Sequence, residues 1–575
     1  MSVPRPRRAA WLLSSGLIAI ALFSTPCAAQ SAAATPARWD SLVTSLLDAY
    51  FAAQPRIAVG SGRHEFDGRL PDWSERGLAA FGTLLTDWRA RAVAFDTTQL
   101  DATRKLERAY VIARMDRDLW WLRSADGPHR NPHYYGGALD PDPYLTRPYA
   151  PLETRMRSYI GYARSVVTAA EQIRANLRPP LARSLIDRGH GLFGGFAAFY
   201  TSDVPAVFAP VKNPALQREL AQANDSAAAA MRALDEWLLA QRATQTESFA
   251  LGADKFREML YAIERVDTPL DELERIGRED LRRNQAALEA ACARYAPGAT
   301  IHDCVRKEES HKPKENSVDA ARRQLVGLRQ FILDKGVATI PGTEQAKVGE
   351  SPPYARYNFA YIVIPGPYEK HMPATYYVAP PDPAWTAEQR AGYIPGEANL
   401  LFTSVHEVWP GHFLQFLHAN RSRSTFGRVF VGYAYAEGWA HYAEEMMWDE
   451  GLGNGDPEAH IGQLTNALLR NVRFLSAIGM HARGMTVAES ERLFREEGYQ
   501  AEATSKQQAA RGTFDPEYLD YTMGKLMIRK LRDDWTATRG GTAAWKQFHD
   551  TFLSYGGPPI PLVREAMMHR AGKLF

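Results

Sequence analysis

Most of the chain has the apolar periodicity of amphipathic helices. From about Arg38 to Lys335, apolar residues recur at three- and four-residue intervals, as in LERAYVIARMDRDLWWLR and MRSYIGYARSVVTAAEQIRANL. This spacing places the apolar side chains on one face of an α-helix. Pro, Gly and Asn separate the segments, for example at Arg178-Pro179-Pro180. The pattern predicts a series of helices that bury their apolar faces against one another.

The pattern changes between about Gly336 and Pro383. There VATIPG, FAYIVIPG and ATYYVAPP are short β-branched and aromatic runs bounded by Pro and Gly, which predicts short strands. Helical periodicity returns at Asn399 and continues to the C-terminus. We therefore expect a mainly α fold with a small β-sheet beside the helices that follow it. An edge strand at this place could pair with the backbone of an extended peptide.

The motif HEVWPGH, residues 406–412, is similar to many zinc sites but has an unusual spacing. In H-E-x-x-H the two histidines are four residues apart and share one helix face. Because His406 and His412 are six apart, a regular helix would separate them by about 240°. Pro410 lacks the N–H that would bond to the carbonyl of His406, and Gly411 tolerates unusual backbone angles. We predict a break in the helix here that brings His412 next to His406.

A third metal ligand is expected on a second helix. Glu437 lies 25 residues after His412, within YAYAEGWAHYAEEMMW. Glu437, His441 and Glu444 are spaced four and three apart, so they share one helix face. We predict that His406, His412 and Glu437 bind one Zn²⁺ ion, with His441 either lining the site or replacing Glu437. Glu444 is either a carboxylate that orients a ligand imidazole or a solvated charge.

Glu407 is the catalytic residue of this hypothesis. In zinc hydrolases the glutamate directly after the first histidine is the general base that takes a proton from water. Zinc binding alone does not require that residue, so its presence favours an enzyme. Two other classes of function stay open at this point. One is a non-catalytic periplasmic protein that binds zinc or a peptide, and the other is a zinc hydrolase of non-peptide amides or esters.

The N-terminus predicts export. A basic stretch precedes the apolar run WLLSSGLIAIALF and then STPCAAQS, which is the order of regions in a secretory signal peptide. Cleavage after Ala29 would remove residues 1–29. A lipid anchor on Cys27 is the alternative, which the preceding Pro26 disfavours. No later apolar run is long enough to span a bilayer, so we expect a periplasmic or secreted protein without stable membrane insertion after cleavage.

Composition and cysteine content add two expectations. The net charge of the 575 residues is +2, which gives no basic field of the kind that attracts nucleic acid. Removal of the signal peptide leaves Cys292 and Cys304, twelve residues apart. In an exported chain such a pair favours a disulfide, with two free buried thiols as the alternative.

Longer stretches around the motif resemble a known family. GYIPGEANLLFTSVHEVWPGHFLQ and AYAEGWAHYAEEM resemble the exported bacterial proteins named domain of unknown function 885. HEFDGRLPDWS, NPHYY, GMHARGMTVAES and YTMGKLMIRKLR are weaker similarities. The resemblance implies a large two-lobed helical body of the neurolysin or oligopeptidase type. Residues 30–340 would form a helical region that is continuous with a zinc-peptidase-like region at 341–575.

The resemblance also implies the same ligand set, His406, His412 and Glu437, with Glu407 as the base. The sequence departs from the family at His441, where the family has an aliphatic residue. A peptidase of this design would use a downstream Tyr or His to stabilise the oxyanion. Here the candidates are Tyr521 and His481.

Substrate-binding residues are predicted on thinner patterns. Lys525, Arg529 and Arg532 share one helix face and could clamp the C-terminal carboxylate of a peptide, or they form a solvated basic face. Tyr354, Arg356 and Tyr357 precede the strands and could line the cleft. Together these predictions describe a zinc metallopeptidase, an exo- or oligopeptidase, that cleaves short peptides.

Overall fold

The computed structural model describes residues 35–352, 356, 359–370 and 372–575, and the predicted signal peptide lies outside these residues. Helices account for most of the described chain, as the apolar periodicity predicts. The helices before the sheet are α1 Thr35–Ala53, α2 Pro55–Ser61, α3 Glu75–Ala94, α4 Ala102–Leu119, α5 Gly127–Arg130, α6 Asp142–Thr146, α7 Leu152–Asn176, α8 Arg183–Phe208, α9 Pro214–Ala240, α10 Ala253–Glu264, α11 Leu270–Tyr295, α12 Ile301–Ser310 and α13 Ser317–Lys335.

The sheet follows α13 and precedes the remaining helices. Its strands are β1 Lys347–Glu350, β2 Ala360–Val363 and β3 Thr375–Val378. The helices after it are α14 Ala387–Tyr393, α15 Glu397–Glu407, α16 His412–Ala419, α17 Thr425–Val429, α18 Tyr433–Asp449, α19 Pro457–Ala482, α20 Val487–Glu496, α21 Glu502–Gly512, α22 Asp520–Thr536, α23 Trp545–Leu553 and α24 Ile560–Met568.

The small sheet forms beside the motif helix, but one predicted strand is wrong. β3 is central, parallel to β1 and antiparallel to β2, and β2 contacts α15. VATIPG is not a strand, because its backbone bonds to side chains instead of to a neighbouring strand. The Val337 carbonyl accepts a hydrogen bond from His549 Nδ1 at 2.7 Å, and the Thr339 carbonyl accepts one from His418 Nε2 at 2.8 Å. The first strand is KVGE, at 347–350.

Three clusters of buried apolar side chains form the core. The largest joins α10–α13 to most of the helices from α15 onward. A second lies among residues 59–238, and a third packs α1, α3 and α4 against Phe426 and Phe430. The predicted boundary between residues 340 and 341 therefore falls inside a shared core. The elements on either side of it are held together by buried apolar surface, which is the main favourable contribution to folding.

Two local features fix the helices around the motif. Gly438 of α18 lies against Gly524 of α22, where a Cβ on Gly438 would be only 2.5 Å from the Gly524 Cα. This pair of glycines lets the two helices cross closely, and α15 packs against α18 from another side. Cys292 of α11 and Cys304 of α12 form a disulfide. None of the helices in the described part of the chain has the length and apolarity needed to cross a bilayer.

Candidate metal centre

The helix breaks within HEVWPGH, as predicted. α15 ends at Glu407 and α16 begins at His412. The connecting residues turn back on α15, since the Gly411 N–H donates to the Val405 carbonyl at 2.9 Å. Trp439 of α18 anchors the turn from the other side, because its indole N–H donates to the Pro410 carbonyl at 2.8 Å. The break thus changes the direction of the chain between the two histidines.

The break brings His406, His412 and Glu437 together. Glu437 Oε2 lies 3.3 Å from His406 Nε2 and 3.4 Å from His412 Nε2. Zinc–ligand bonds of about 2.0–2.2 Å in a tetrahedral site separate ligand atoms by about 3.3–3.6 Å. Glu437 Oε2 is also buried and has no hydrogen-bond partner among the described residues. The three side chains therefore fit a tetrahedral divalent metal, and no other such cluster occurs in the described ranges.

The charges around these residues favour a cation. Burial and Arg470 lower the pKa of His406, but the carboxylates of Glu437 and Glu444 beside its two ring nitrogens outweigh them and raise it to about 9. Burial raises the pKa of Glu437, but His412 and His406 hold it well below its usual range. The carboxylate is therefore ionised and the neighbouring imidazole attracts positive charge, whether that charge is a proton or a metal ion.

Glu444 orients His406. Of the two roles predicted for Glu444, an orienting carboxylate or a solvated charge, the structure supports the first. The Glu444 side chain is fully buried, so it is not a solvated charge. Its Oε1 accepts a hydrogen bond from His406 Nδ1 at 2.6 Å, and Arg470 pairs with the same oxygen at 3.2 Å. A carboxylate on one imidazole nitrogen leaves the other nitrogen to bind a metal. Nε2 of His406 accordingly faces Glu437.

Glu407 stands directly beside the cluster at the end of α15. Its carboxylate makes no hydrogen bond within the described residues and is half-buried. Burial raises the pKa of Glu407, while His412 and His406 oppose the rise. A carboxylate with a raised pKa and no fixed partner can accept a proton and release it again.

The structure brings Tyr521 to the centre but not His481. The Tyr521 ring lies nearly parallel to the His406 ring, with 6.3 Å between centroids. His481 instead uses its ring nitrogens on the backbone. Its Nε2 donates to the Gly512 carbonyl at 2.7 Å, and its Nδ1 accepts from the Leu251 N–H at 3.4 Å. His481 therefore holds chain segments together through both ring nitrogens, so Tyr521 is the better placed of the two oxyanion candidates.

His441 is not one of the three clustered ligands. It is fully buried, and burial lowers its pKa to about 3, so the ring is neutral. Neither ring nitrogen has a hydrogen-bond partner in the described part of the chain, and the nearest carboxylate oxygen, Glu444 Oε2, is 3.7 Å away. The structure therefore places Glu437, and not His441, with the two histidines.

The predicted basic clamp is committed to ion pairs. Lys525 pairs with Asp280 at 2.7 Å and with Glu445 at 3.2 Å, and Arg529 pairs with Glu445 at 3.0 Å. Both side chains thus already have carboxylate partners within the protein, which they share with Arg283, and the clamp stays a prediction. The third member, Arg532, pairs with Asp533 at 2.8 Å and stacks on Trp545.

Tyr354 and Tyr357, two of the residues predicted to line the cleft, lie outside the described residues. Their neighbour Arg356 pairs with Glu350 at 2.6 Å, at the end of β1. Of these three residues, the structure therefore places only Arg356, which lies beside the sheet.

Sequence reasoning missed the arginines of α19. Arg470 pairs with Glu444, and Arg473 lies over the ring of Tyr521 at 4.8 Å. The signal was present in NALLRNVRFLSAIGM, where two charged residues three apart interrupt a strongly apolar helix. Buried arginines are rare without a specific partner, so such a pair could have been read as part of a site.

A cleft reaches the ligand helix from the N-terminal helices. A cavity of about 440 Å³ is lined by Tyr433 and Ala436, the latter directly before Glu437, and by Arg114 and Arg117 of α4. A neighbouring cavity of about 560 Å³ shares the two arginines. Together they form a cleft between the first helices of the chain and the start of α18.

The fold and the clustered side chains define a mainly helical protein with a candidate metal centre built from a broken H-E motif. The chain belongs to the family described as bacterial protein of unknown function (DUF885), whose model matches residues 55–567. No curated protein is significantly similar in sequence.

Two solved structures share the fold. A candidate lipoprotein of unknown function from Shewanella oneidensis is 23% identical, with a TM-score of 0.77 over 92% of this chain and 99% of that one. A candidate lipoprotein from Colwellia psychrerythraea is 16% identical, with a TM-score of 0.78 over 93% of this chain and 99% of that one.

Proposed function

We propose that this protein is an exported zinc hydrolase that cleaves peptide bonds in short peptides. One observation carries the proposal: Glu437 Oε2 lies at tetrahedral spacing from the Nε2 atoms of His406 and His412, with Glu407 beside them. This combination is the one that zinc hydrolases use, with three protein ligands, an open fourth position and a carboxylate base.

The chain's own residues have distinct tasks in this proposal. A Zn²⁺ ion held by the three ligands would supply Lewis acidity toward a substrate carbonyl and a water molecule. Glu407 takes the proton of the attacking water and passes it to the leaving amine. Tyr521, next to His406, donates its O–H to the oxyanion that forms on the carbonyl. Glu444 keeps Nε2 of His406 turned toward the centre.

The cleft beside the ligand helix favours short peptides as substrates. The space beside α18 is bounded by helices from both ends of the chain, and its two cavities measure about 440 and 560 Å³. An extended peptide of a few residues can enter such a space, whereas a folded protein cannot. This supports an exo- or oligopeptidase with a neurolysin-like plan.

Three features support export to the periplasm or beyond. The N-terminal pattern is that of a signal peptide. The disulfide between Cys292 and Cys304 is of the kind found in oxidising compartments. The structures from Shewanella oneidensis and Colwellia psychrerythraea are both described as candidate lipoproteins.

Glu407 favours the hydrolase over a protein that only binds zinc or a peptide. A half-buried carboxylate without a hydrogen-bond partner costs folding free energy, and metal binding needs nothing from it. Hydrolysis of a non-peptide amide or ester would use the same residues. The choice of a peptide rests on the size of the two cavities beside α18.

The test is a digest of a mixed short-peptide library, read by mass spectrometry, together with measurement of bound zinc. We expect about one zinc per chain and cleavage that stops with chelator and returns with added Zn²⁺. Bound zinc without chelator-sensitive cleavage would favour the binding protein. Cleavage of ester or non-peptide amide probes alone would favour the second alternative.

A further inference from the structure

Arg473 is a buried arginine without a counter-ion beside the candidate metal centre. It lies on α19 and is 7% exposed. No carboxylate of the described residues pairs with it, and the remaining residues of the chain include neither Asp nor Glu. Its neighbours differ in this respect, since Arg470 pairs with Glu444 and Arg511 with Asp515.

The side chain is held so that one edge of the guanidinium stays available. Nε donates to Gln508 Oε1 at 2.8 Å, whereas Nη1 and Nη2 make no hydrogen bond within the described part of the chain. The guanidinium carbon lies 4.8 Å from the ring centroid of Tyr521, which in turn stacks beside His406. Arg473 thus presents two donors close to the residue proposed to bind the oxyanion.

An unpaired charge in this place is unfavourable in the free protein. Taking a guanidinium out of water is unfavourable unless an opposite charge compensates it. Burial, with Arg511 close by, lowers the pKa of Arg473 to about 10. Because Arg470 and Arg511 already have carboxylate partners, an anionic group at this place would compensate the charge of Arg473 itself.

We propose that Arg473 binds a carboxylate of the substrate through Nη1 and Nη2, and so makes peptides with a free carboxylate the preferred substrates. The inference rests on the proposed function, because it assigns the substrate class of the same site. Two parallel N–H···O bonds to a carboxylate match the fork geometry of an arginine. The carboxylate of a chain end and that of an acidic side chain offer the same chemistry.

A purely structural role is the competing explanation. Arg473 could act only by holding the Tyr521 ring through a cation–π contact. That role would affect all substrates alike, whereas carboxylate binding discriminates between charged and neutral ones. The test therefore measures discrimination rather than activity.

The experiment uses the full-length Glu407→Gln variant loaded with zinc, so that peptides bind without being cleaved. It is incubated with pools of tripeptides that have free C-termini, amidated C-termini, or amidated C-termini with an internal Glu. Retained peptides are counted by mass spectrometry after ultrafiltration. We expect retention of carboxylate-bearing peptides to exceed that of neutral ones by about ten- to a hundred-fold. The two charged pools show whether the chain end or the side chain is bound.

Adding Arg473→Gln should abolish the preference, and Arg473→Lys should retain part of it. Arg564→Gln is the matched control, because Arg564 is 6% exposed but already pairs with Asp534. Equal retention of charged and neutral peptides, no retention of any pool, or a preference that survives Arg473→Gln would overturn the inference.

The two proposals fail separately. Chelator-sensitive cleavage by the wild-type protein without carboxylate preference would leave the hydrolase standing and remove the role of Arg473. A carboxylate preference without any cleavage by the wild type would leave the carboxylate-binding role of Arg473 standing and remove the hydrolase.

Discussion

Gly411 lies directly against the backbone of His406. A Cβ on Gly411 would be 1.7 Å from the His406 carbonyl oxygen and 2.4 Å from its carbonyl carbon. No real side chain can occupy that space, so glycine is required by contact with the first histidine of the motif. The close return of the chain onto α15 is what carries His412 to Glu437.

Replacement of Gly411 by Ala should therefore disrupt the metal centre. The added methyl group forces the turn away from α15, which we expect to cost about 1–3 kcal/mol of stability and to displace His412. Zinc content after dialysis should fall far below one ion per chain, as measured by atomic absorption. Gly195→Ala is the control, because nothing lies within 4 Å of a Cβ at that helical position. Full zinc occupancy in Gly411→Ala would show that the turn does not set the site.

Glu407→Gln should separate metal binding from catalysis. The amide keeps the shape of the side chain but cannot accept the proton of water, so kcat/KM should fall by about 10²–10⁴-fold. Zinc content should remain at the wild-type level, because Glu407 is not one of the three clustered ligands. Kinetics with a peptide identified in the library digest and zinc analysis of the same sample provide the check. Undiminished turnover would refute the role assigned to Glu407.

Much of this centre could be predicted from the sequence because its signals are local. The helix break follows from the missing N–H of Pro410 and from the freedom of Gly411. The shared face of Glu437 and Glu444 follows from helix periodicity alone. The mainly helical fold and the position of the small sheet follow from the same kind of pattern.

What could not be predicted concerns contacts between distant segments. VATIPG has strand composition, but His418 and His549, far away in the sequence, bind its carbonyl groups. Lys525 and Arg529 share a helix face as predicted, yet their partner Asp280 lies on α11. Periodicity places a side chain on a face of its own helix and contains no information about which residue faces it from another element.

Glu444→Gln should weaken zinc binding without removing any ligand. The Glu444 carboxylate contacts both His406 and Arg470. Gln at this position has no negative charge to offer to either of them. The loss of such an orienting carboxylate costs about 10–100-fold in metal affinity, measured by competition with a chromophoric chelator. Because Arg470 then loses its charged partner in the interior, the melting temperature should also fall. Glu450→Gln, at the end of the same helix, is the control. Unchanged zinc affinity would mean that His406 needs no orientation by Glu444.

Glu264 should make the protein less stable as the pH rises from about 4.5 to about 7. It is 2% exposed, its Oε1 accepts a hydrogen bond from the Ala434 N–H at 3.2 Å, and its Oε2 has no partner in the described ranges. Burial raises the pKa of Glu264 from 4.5 to about 7. Between these values the folded protein holds a proton that the unfolded chain has released, so stability decreases with rising pH across that window.

Glu264→Gln removes this titration, since an amide needs no proton to stay neutral in the interior. Its melting temperature should exceed that of the wild type at about pH 8 and match it at about pH 4.5, where both side chains are uncharged. Arg117, Glu517 and Asp520 face Glu264, and the negative charge of Glu264 helps to raise the pKa of Asp520. The difference between the two curves therefore reports the titration of the Glu264–Asp520 pair. Glu279→Gln on the exposed face of α11 provides the control for a surface carboxyl group. A difference in melting temperature that is the same at both pH values would show that Glu264 does not ionise in the folded protein over this range.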